Sequence, residues 1–254
     1  MSMKEACQAG LNKGVTEIAF TEHLDVIYPD SNLDWDFDIQ KYSQTIQHMS
    51  QAYPALKIVK GVEVGLHPSG LEKSKDFTDR GEFDFIIGSI HVVGDKDMHE
   101  GEFFRNKSVN EALEEYFLTV NSLVKAYPYF NVLGHLDLVK RYLKFLDCKC
   151  GDINWHNYYD IVEDTLKELI YSGRGIELNM SGYRYGINTS HPDFNTLKLY
   201  RELGGEIITI GSDAHKPMDI GYKNIQAVEL LQGAKFKYLA GFSKQIPQFY
   251  KIGS

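Results

Sequence analysis

Six short apolar runs rich in β-branched residues recur along this chain, and segments with helical spacing of their apolar residues separate them. The runs are TEIAFTEH (16–23), LKIVKGVEV (56–64), FDFIIGSIHVV (83–93), NVLGHLD (131–137), GIELNM (175–180) and EIITIGSDAH (206–215). Between them, 38–53 has apolar positions three and four apart, 108–127 opens on Ser108 with Glu111 three residues later, 156–173 ends on Gly173, and 193–205 reaches Gly204. The Ser-x-x-Glu spacing is that of a capping box, and a glycine suits the left-handed residue that ends a helix. Strand–helix alternation with continuous apolar strands predicts a parallel sheet covered by helices, either open and doubly wound or curled into a barrel.

The polar residues favour the barrel. Five of the six runs carry His23, Glu63, His91, His135 or the pair Asp213 and His215 at or near their ends, and the remaining one ends around Asn179 and is followed by Arg184. In a parallel barrel all strand C-termini open onto one face, so these groups are expected to meet in one pocket. One such histidine is more often a satisfied structural residue than a ligand; five strand ends repeating the pattern are not explained that way. Imidazoles and carboxylates without thiolates suit Zn, Mn or Fe, and six ligands exceed the needs of one tetrahedral ion. A site with two or more divalent metals is expected, with Glu63 as the bridging carboxylate. Such clusters polarise phosphoryl oxygens and acidify water.

Composition sets the remaining bounds. The 254 residues, 43% hydrophobic and 24% charged, suit one barrel domain spanning 1–254. No window resembles a membrane span, and MSMKEACQAG lacks a signal core. Cys7, Cys148 and Cys150 fit a reducing cytoplasm, and no partner Cys pair or nearby His completes a metal site with the last two. A net charge of −8 without a basic tract argues against nucleic acid as a partner but permits a small phosphorylated substrate.

The ordered set AFTEH, KGVEVG, GSIHVV, VLGHLDL, ELNMSGYR and GSDAH resembles the polymerase-and-histidinol-phosphatase (PHP) superfamily, most closely its histidinol-phosphatase branch. The resemblance implies a distorted (β/α)7 barrel holding two or three metal ions at a phosphoesterase centre. It implies that Glu63, His91 and His135 hold one ion, that Asp213 and Glu63 serve a second, and that His23 and His215 help hold a third. The family pattern begins with a strand carrying H-x-H. Here SMKEACQAGLNKGV reads as the first helix and no histidine precedes His23, so the first strand is missing from the pattern. Either an upstream segment supplies that strand, or the chain is a variant with a depleted site and impaired activity.

Arg184 is the first choice for binding substrate phosphate, Arg141 the second, with Lys140 behind it, because a guanidinium fork holds two phosphate oxygens at once. Asp213 or His215 would move the proton. The resemblance implies hydrolysis of L-histidinol phosphate in histidine biosynthesis; the alternatives are another small phosphate or a nucleotide, or a metal- or phosphate-binding chain with little turnover. His48 and His156 read as packing or surface residues, and His191 as part of a helix start. His67 and His99 could line the pocket, and Tyr28, Trp35 and Tyr183 could form its walls. The tail FKYLAGFSKQIPQFYKI reads as a terminal hairpin closing the fold.

Overall fold

The computed structural model describes residues 1–29 and 37–253. Trp35 lies outside the described residues. The main sheet has six parallel strands: β1 (Glu17–Leu24), β2 (Lys57–Gly65), β3 (Phe85–Ser89), β6 (Val132–Leu133), β7 (Gly175–Asn179) and β8 (Ile208–Gly211), in the order β1-β2-β3-β6-β7-β8. Short β4 (Val92–Val93) and β5 (Lys96–Asp97) form a hairpin after β3. Helices α1 (Met3–Asn12), α2 (Ile39–Ala52), α3 (Leu71–Gly81), α4 (Val109–Ala126), α5 (Tyr159–Tyr171), α6 (Ser181–Arg184), α7 (Phe194–Glu202) and α8 (Asn224–Gly233) complete the set, with antiparallel β9 (Tyr238–Ser243) and β10 (Ile246–Lys251) at the end. The sheet curls into a half-barrel with helical crossovers, the architecture expected of strand–helix alternation. No helix among the described residues is long and apolar enough to cross a membrane.

Local signals explain the element ends. Ser108 caps α4, its hydroxyl accepting from Glu111 N while the Glu111 carboxylate accepts from Ser108 N, the full capping box. Gly173 and Gly204 follow α5 and α7 with φ of +70° and +98°, where a side chain is disfavoured.

Alternation along the strands separates two faces. Val62 and Val64 of β2, Ile86 of β3, Leu133 of β6 and Ile176 and Leu178 of β7 are buried in the main core beneath the helices. The opposite face lines the barrel interior. Near the strand N-termini it is apolar: Val59, Phe85, Ile87 and Val132 cluster with Ala240 and Phe242 of β9, and Phe242 stacks on Phe85 at 4.9 Å. The tail hairpin is pinned there by Lys244 N donating to Asp84 Oδ1 and Gln245 N to Asp84 O, both at 2.8 Å. Asp84 precedes β3, so the tail closes the end of the barrel opposite the strand C-termini.

The curl does not close. Among the described residues β1 and β8 do not pair with each other, and a cavity of about 350 Å3 lies between them, bounded by strand residues including Ala19, Thr21 and Thr209. The hairpin seals the floor and does not enter this seam.

Candidate metal centre

Above the apolar floor the interior-facing residues turn polar. The parallel register pairs His23 directly with Glu63, so these side chains emerge side by side from β1 and β2. His91 follows β3 by two residues, and His135 follows β6 by two, with φ of +22°. Three imidazole nitrogens surround one carboxylate: Nε2 of His135 lies 3.0 Å and Nε2 of His91 3.3 Å from Glu63 Oε1, and Nε2 of His23 lies 3.7 Å from Oε2. The Ser89 hydroxyl donates to Glu63 Oε1 at 2.7 Å. Donor atoms of His23, Glu63 and His91 all lie within 4.8 Å of one another.

This donor set fits a divalent cation. Nitrogen and carboxylate ligands without sulfur suit Zn and other first-row ions. His135 Nδ1 is buried without a hydrogen-bond partner. The electrostatics agree: burial works against charge on His91 and Glu63, yet it is outweighed, chiefly by Asp25 for His91 and by His23 for Glu63, holding Glu63 well below and His91 well above their ordinary pKa ranges. His23 is shifted upward for the same reason, burial being outweighed by Glu63 and Asp25. A cation beside Glu63 would take over the attraction that raises His23 and His91.

Asp213 and His215 reach the same cavity of about 970 Å3 from beyond β8. Asp213 Oδ2 accepts from Arg141 Nη2 at 2.8 Å, while His215, with 65% of its side chain exposed, stands at the rim with its ring 6.1 Å from that of His23. All six ligands selected from the sequence line this one cavity, as does Arg141. Arg141 also donates to Ser181 Oγ at 2.6 Å and lies over the Tyr185 ring at 4.1 Å.

Two of the selected cations point elsewhere. Arg184 donates to the backbone carbonyls of Ser212 and Asp213 at 2.9 and 2.6 Å and lies 3.8 Å from Asp219, so it braces the loop that carries Asp213 rather than facing the cavity. Lys140 is buried, with Nζ 2.6 Å from Asp137 and 2.5 Å from Asp193. It is a scaffold ion pair.

Of the other histidines, His67 is buried with Nε2 2.8 Å from Gly94 O, away from the cavity, whereas His99 lines it. His191 is buried with Nδ1 2.7 Å from Asp137 Oδ1, before α7 rather than in it. His48 and His156 are exposed. Tyr28 lines the cavity with Tyr142 and Tyr185, and Tyr183 does not.

Sequence reading passed over two buried carboxylates that bond directly to proposed ligand residues. Glu177 projects inward from β7, accepts from His135 N at 3.1 Å and Asn179 Nδ2 at 3.0 Å, and is pushed up to about 7 by burial and by Glu63. Asp25 accepts from His23 and His91. Both left a signal: a lone Glu inside an apolar strand, and an H-x-D spacing that mirrors D-x-H at 213–215.

The comparisons with known proteins agree with this geometry. The chain is 31% identical over 240 residues to a probable histidinol-phosphatase of Clostridium acetobutylicum, covering 93% of this chain and 89% of that one. It is 31% identical to a histidinol-phosphatase of Lactococcus lactis, covering 91% and 84% of the two chains. A solved histidinol phosphate phosphatase from Lactococcus lactis, complexed with zinc, L-histidinol and phosphate, superimposes with a TM-score of 0.84 at 27% identity, over 96% of this chain and 92% of that one. The PHP domain family matches residues 1–181, which carry His23, Glu63, His91 and His135 on the ends of the first four strands of the sheet, and the chain belongs to the PHP domain family.

Proposed function

We propose that this chain is a metal-dependent phosphomonoesterase that hydrolyses L-histidinol phosphate to L-histidinol and phosphate. The observation that carries the reading is Glu63 ringed by three imidazole Nε2 atoms, with Arg141 bonded to Asp213 in the same cavity. The relatives and the zinc-, histidinol- and phosphate-bound neighbour support the substrate.

His23, Glu63, His91 and His135 would hold the first metal, with Asp213 and His215 toward a second or third; Zn is the first candidate, Mn or Fe the others. When bound, divalent ions supply Lewis-acid polarisation of the phosphoryl group and activation of water. Arg141 would swing its fork from Asp213 to two phosphate oxygens and meet the charge that develops on them. Asp213, released from Arg141, can take a proton, and His215 at the rim can deliver one to the departing alkoxide. In this reading residues 1–254 act as one cytoplasmic domain on a small phosphorylated substrate, without nucleic acid.

Phosphate release from L-histidinol phosphate, with Zn or Mn added, beside a panel of phosphomonoesters, tests this. Selective turnover supports it, and turnover of another ester alone replaces the substrate. The open seam between β1 and β8 favours a second reading, in which the chain binds metal but turns over slowly. Stoichiometric metal uptake with no release across the panel would support that one.

A further inference from the structure

The geometry points to Asp25 as a positioning residue that locks His23 and His91 into one tautomer, with both Nε2 atoms aimed at the metal position beside Glu63. The inference rests on the metal centre of the proposed function and is independent of its substrate.

Asp25 is the first residue after β1 and is 6% exposed. Its two oxygens face two different rings: Oδ1 accepts from His91 Nδ1 at 2.8 Å and Oδ2 from His23 Nδ1 at 3.2 Å. The rings sit 5.1 Å apart, and each turns its Nε2 toward Glu63. A neutral imidazole carries one N–H, and its position decides which nitrogen keeps a lone pair. A carboxylate is acceptor-only, so both Nδ1 atoms must carry the proton and both Nε2 atoms are left as ligands. An amide cannot do this, because it offers one acceptor and one donor. An asparagine side chain in the same place would hold one ring correctly and invite the other to accept at Nδ1, which places N–H on Nε2 and removes a ligand.

A second, independent feature shows that the fold makes room for this carboxylate. Leu24 pairs with Val64, so Asp25 lies beside Gly65 at the end of β2. A methyl group on Gly65 would stand 1.8 Å from Asp25 Oδ1 and 2.5 Å from its Cγ. Gly65 does not have positive φ, so its backbone conformation does not call for glycine. The space taken by the Asp25 carboxylate does.

The experiment compares full-length wild type, Asp25→Asn and Gly65→Ala. Zn affinity is read by competition with a chromophoric chelator. The imidazole N–H resonances of the Zn-loaded proteins are read by 15N-edited NMR. Wild type should show two exchange-protected Nδ1–H signals from His23 and His91. In Asp25→Asn at least one should disappear, and Zn affinity should fall about 10- to 100-fold, the usual cost of losing such an outer partner. Gly65→Ala, which keeps Asp25 but displaces its carboxylate, should lose affinity in the same direction and serves alone if Asp25→Asn does not fold. Variants that bind Zn like wild type with both protected N–H signals intact, whatever their thermal stability, would overturn the inference. Wild type that takes up no Zn would overturn the metal-centre reading itself; wild type that binds Zn but leaves histidinol phosphate intact would overturn only the substrate.

Discussion

Replacing Lys140 with Met separates scaffold from site at two adjacent residues. Lys140 Nζ lies between Asp137 and Asp193 at 2.6 and 2.5 Å and sits 4.4 Å from the Trp155 ring centroid. The Asp137 side chain is 3% exposed and that of Asp193 24%. At such separations each pair attracts by roughly 6–7 kcal/mol at an effective dielectric near 20, offset by the desolvation of the ammonium. Removing one partner of a buried pair typically costs about 3–5 kcal/mol, because a carboxylate is left behind. Met retains the contact with the indole, and His191 remains bonded to Asp137, so the lower end, about 3 kcal/mol, is expected.

The deficit should depend on pH. Burial alone pushes the Asp137 carboxyl up, but Lys140 and His191 outweigh it and hold the group well below the usual range. In wild type the stability this contributes is present above the unfolded pKa, near 4, and is lost as pH falls through the lowered folded value. Without Lys140 burial pushes Asp137 back up, so the variant should lose more against wild type at pH 8 than at pH 4. Urea unfolding at both pH values, with KM for a phosphomonoester, reads both effects. A KM raised tenfold at unchanged stability would mean that Lys140 meets the substrate, and would refute the assignment.

Arg141→Ala should lower kcat/KM by about 10²- to 10³-fold, the scale of losing one donor to a developing oxyanion, and Arg141→Lys should recover only part because the fork is gone; steady-state kinetics near wild type for the alanine variant would remove Arg141 from the site. Glu177, raised to about 7, stabilises the metal-free fold below the unfolded pKa and loses that contribution as pH rises through 7, roughly 3 kcal/mol in all. Glu177→Gln should therefore flatten the metal-free stability curve between pH 5 and 8, and a slope equal to wild type in thermal melts counts against it. Phe242→Ala should cost about 3–5 kcal/mol by emptying the barrel floor, lowering Tm by roughly 10 °C while leaving kcat of the folded enzyme unchanged; a matching fall in kcat would show that the tail acts on the distant site.

Local chemistry made much of this protein legible from its residues. The apolar runs became the six strands because a parallel sheet is buried on both faces, and Ser108, Gly173 and Gly204 mark helix ends through their own backbone preferences. The candidate ligands were legible because strand C-termini of such a sheet share one end. The reading failed where direction depends on distant partners. The run 131–137 is strand only at 132–133, since His135 leaves the extended conformation with φ of +22°, and 138–146 winds instead into a 3₁₀-helix. Successive residues of that helix diverge by about 120°. Lys140 therefore enters the scaffold between Asp137 and Asp193, the latter from the segment before α7, while its neighbour Arg141 enters the cavity. Arg184 is likewise claimed by carbonyls of the loop after β8, and Asp25 gains its meaning only where a glycine of the next strand leaves it room. Residue type and spacing select the chemistry of a site; which of two adjacent cations serves it is decided by partners that lie dozens of residues away in the chain and meet only when the barrel has formed.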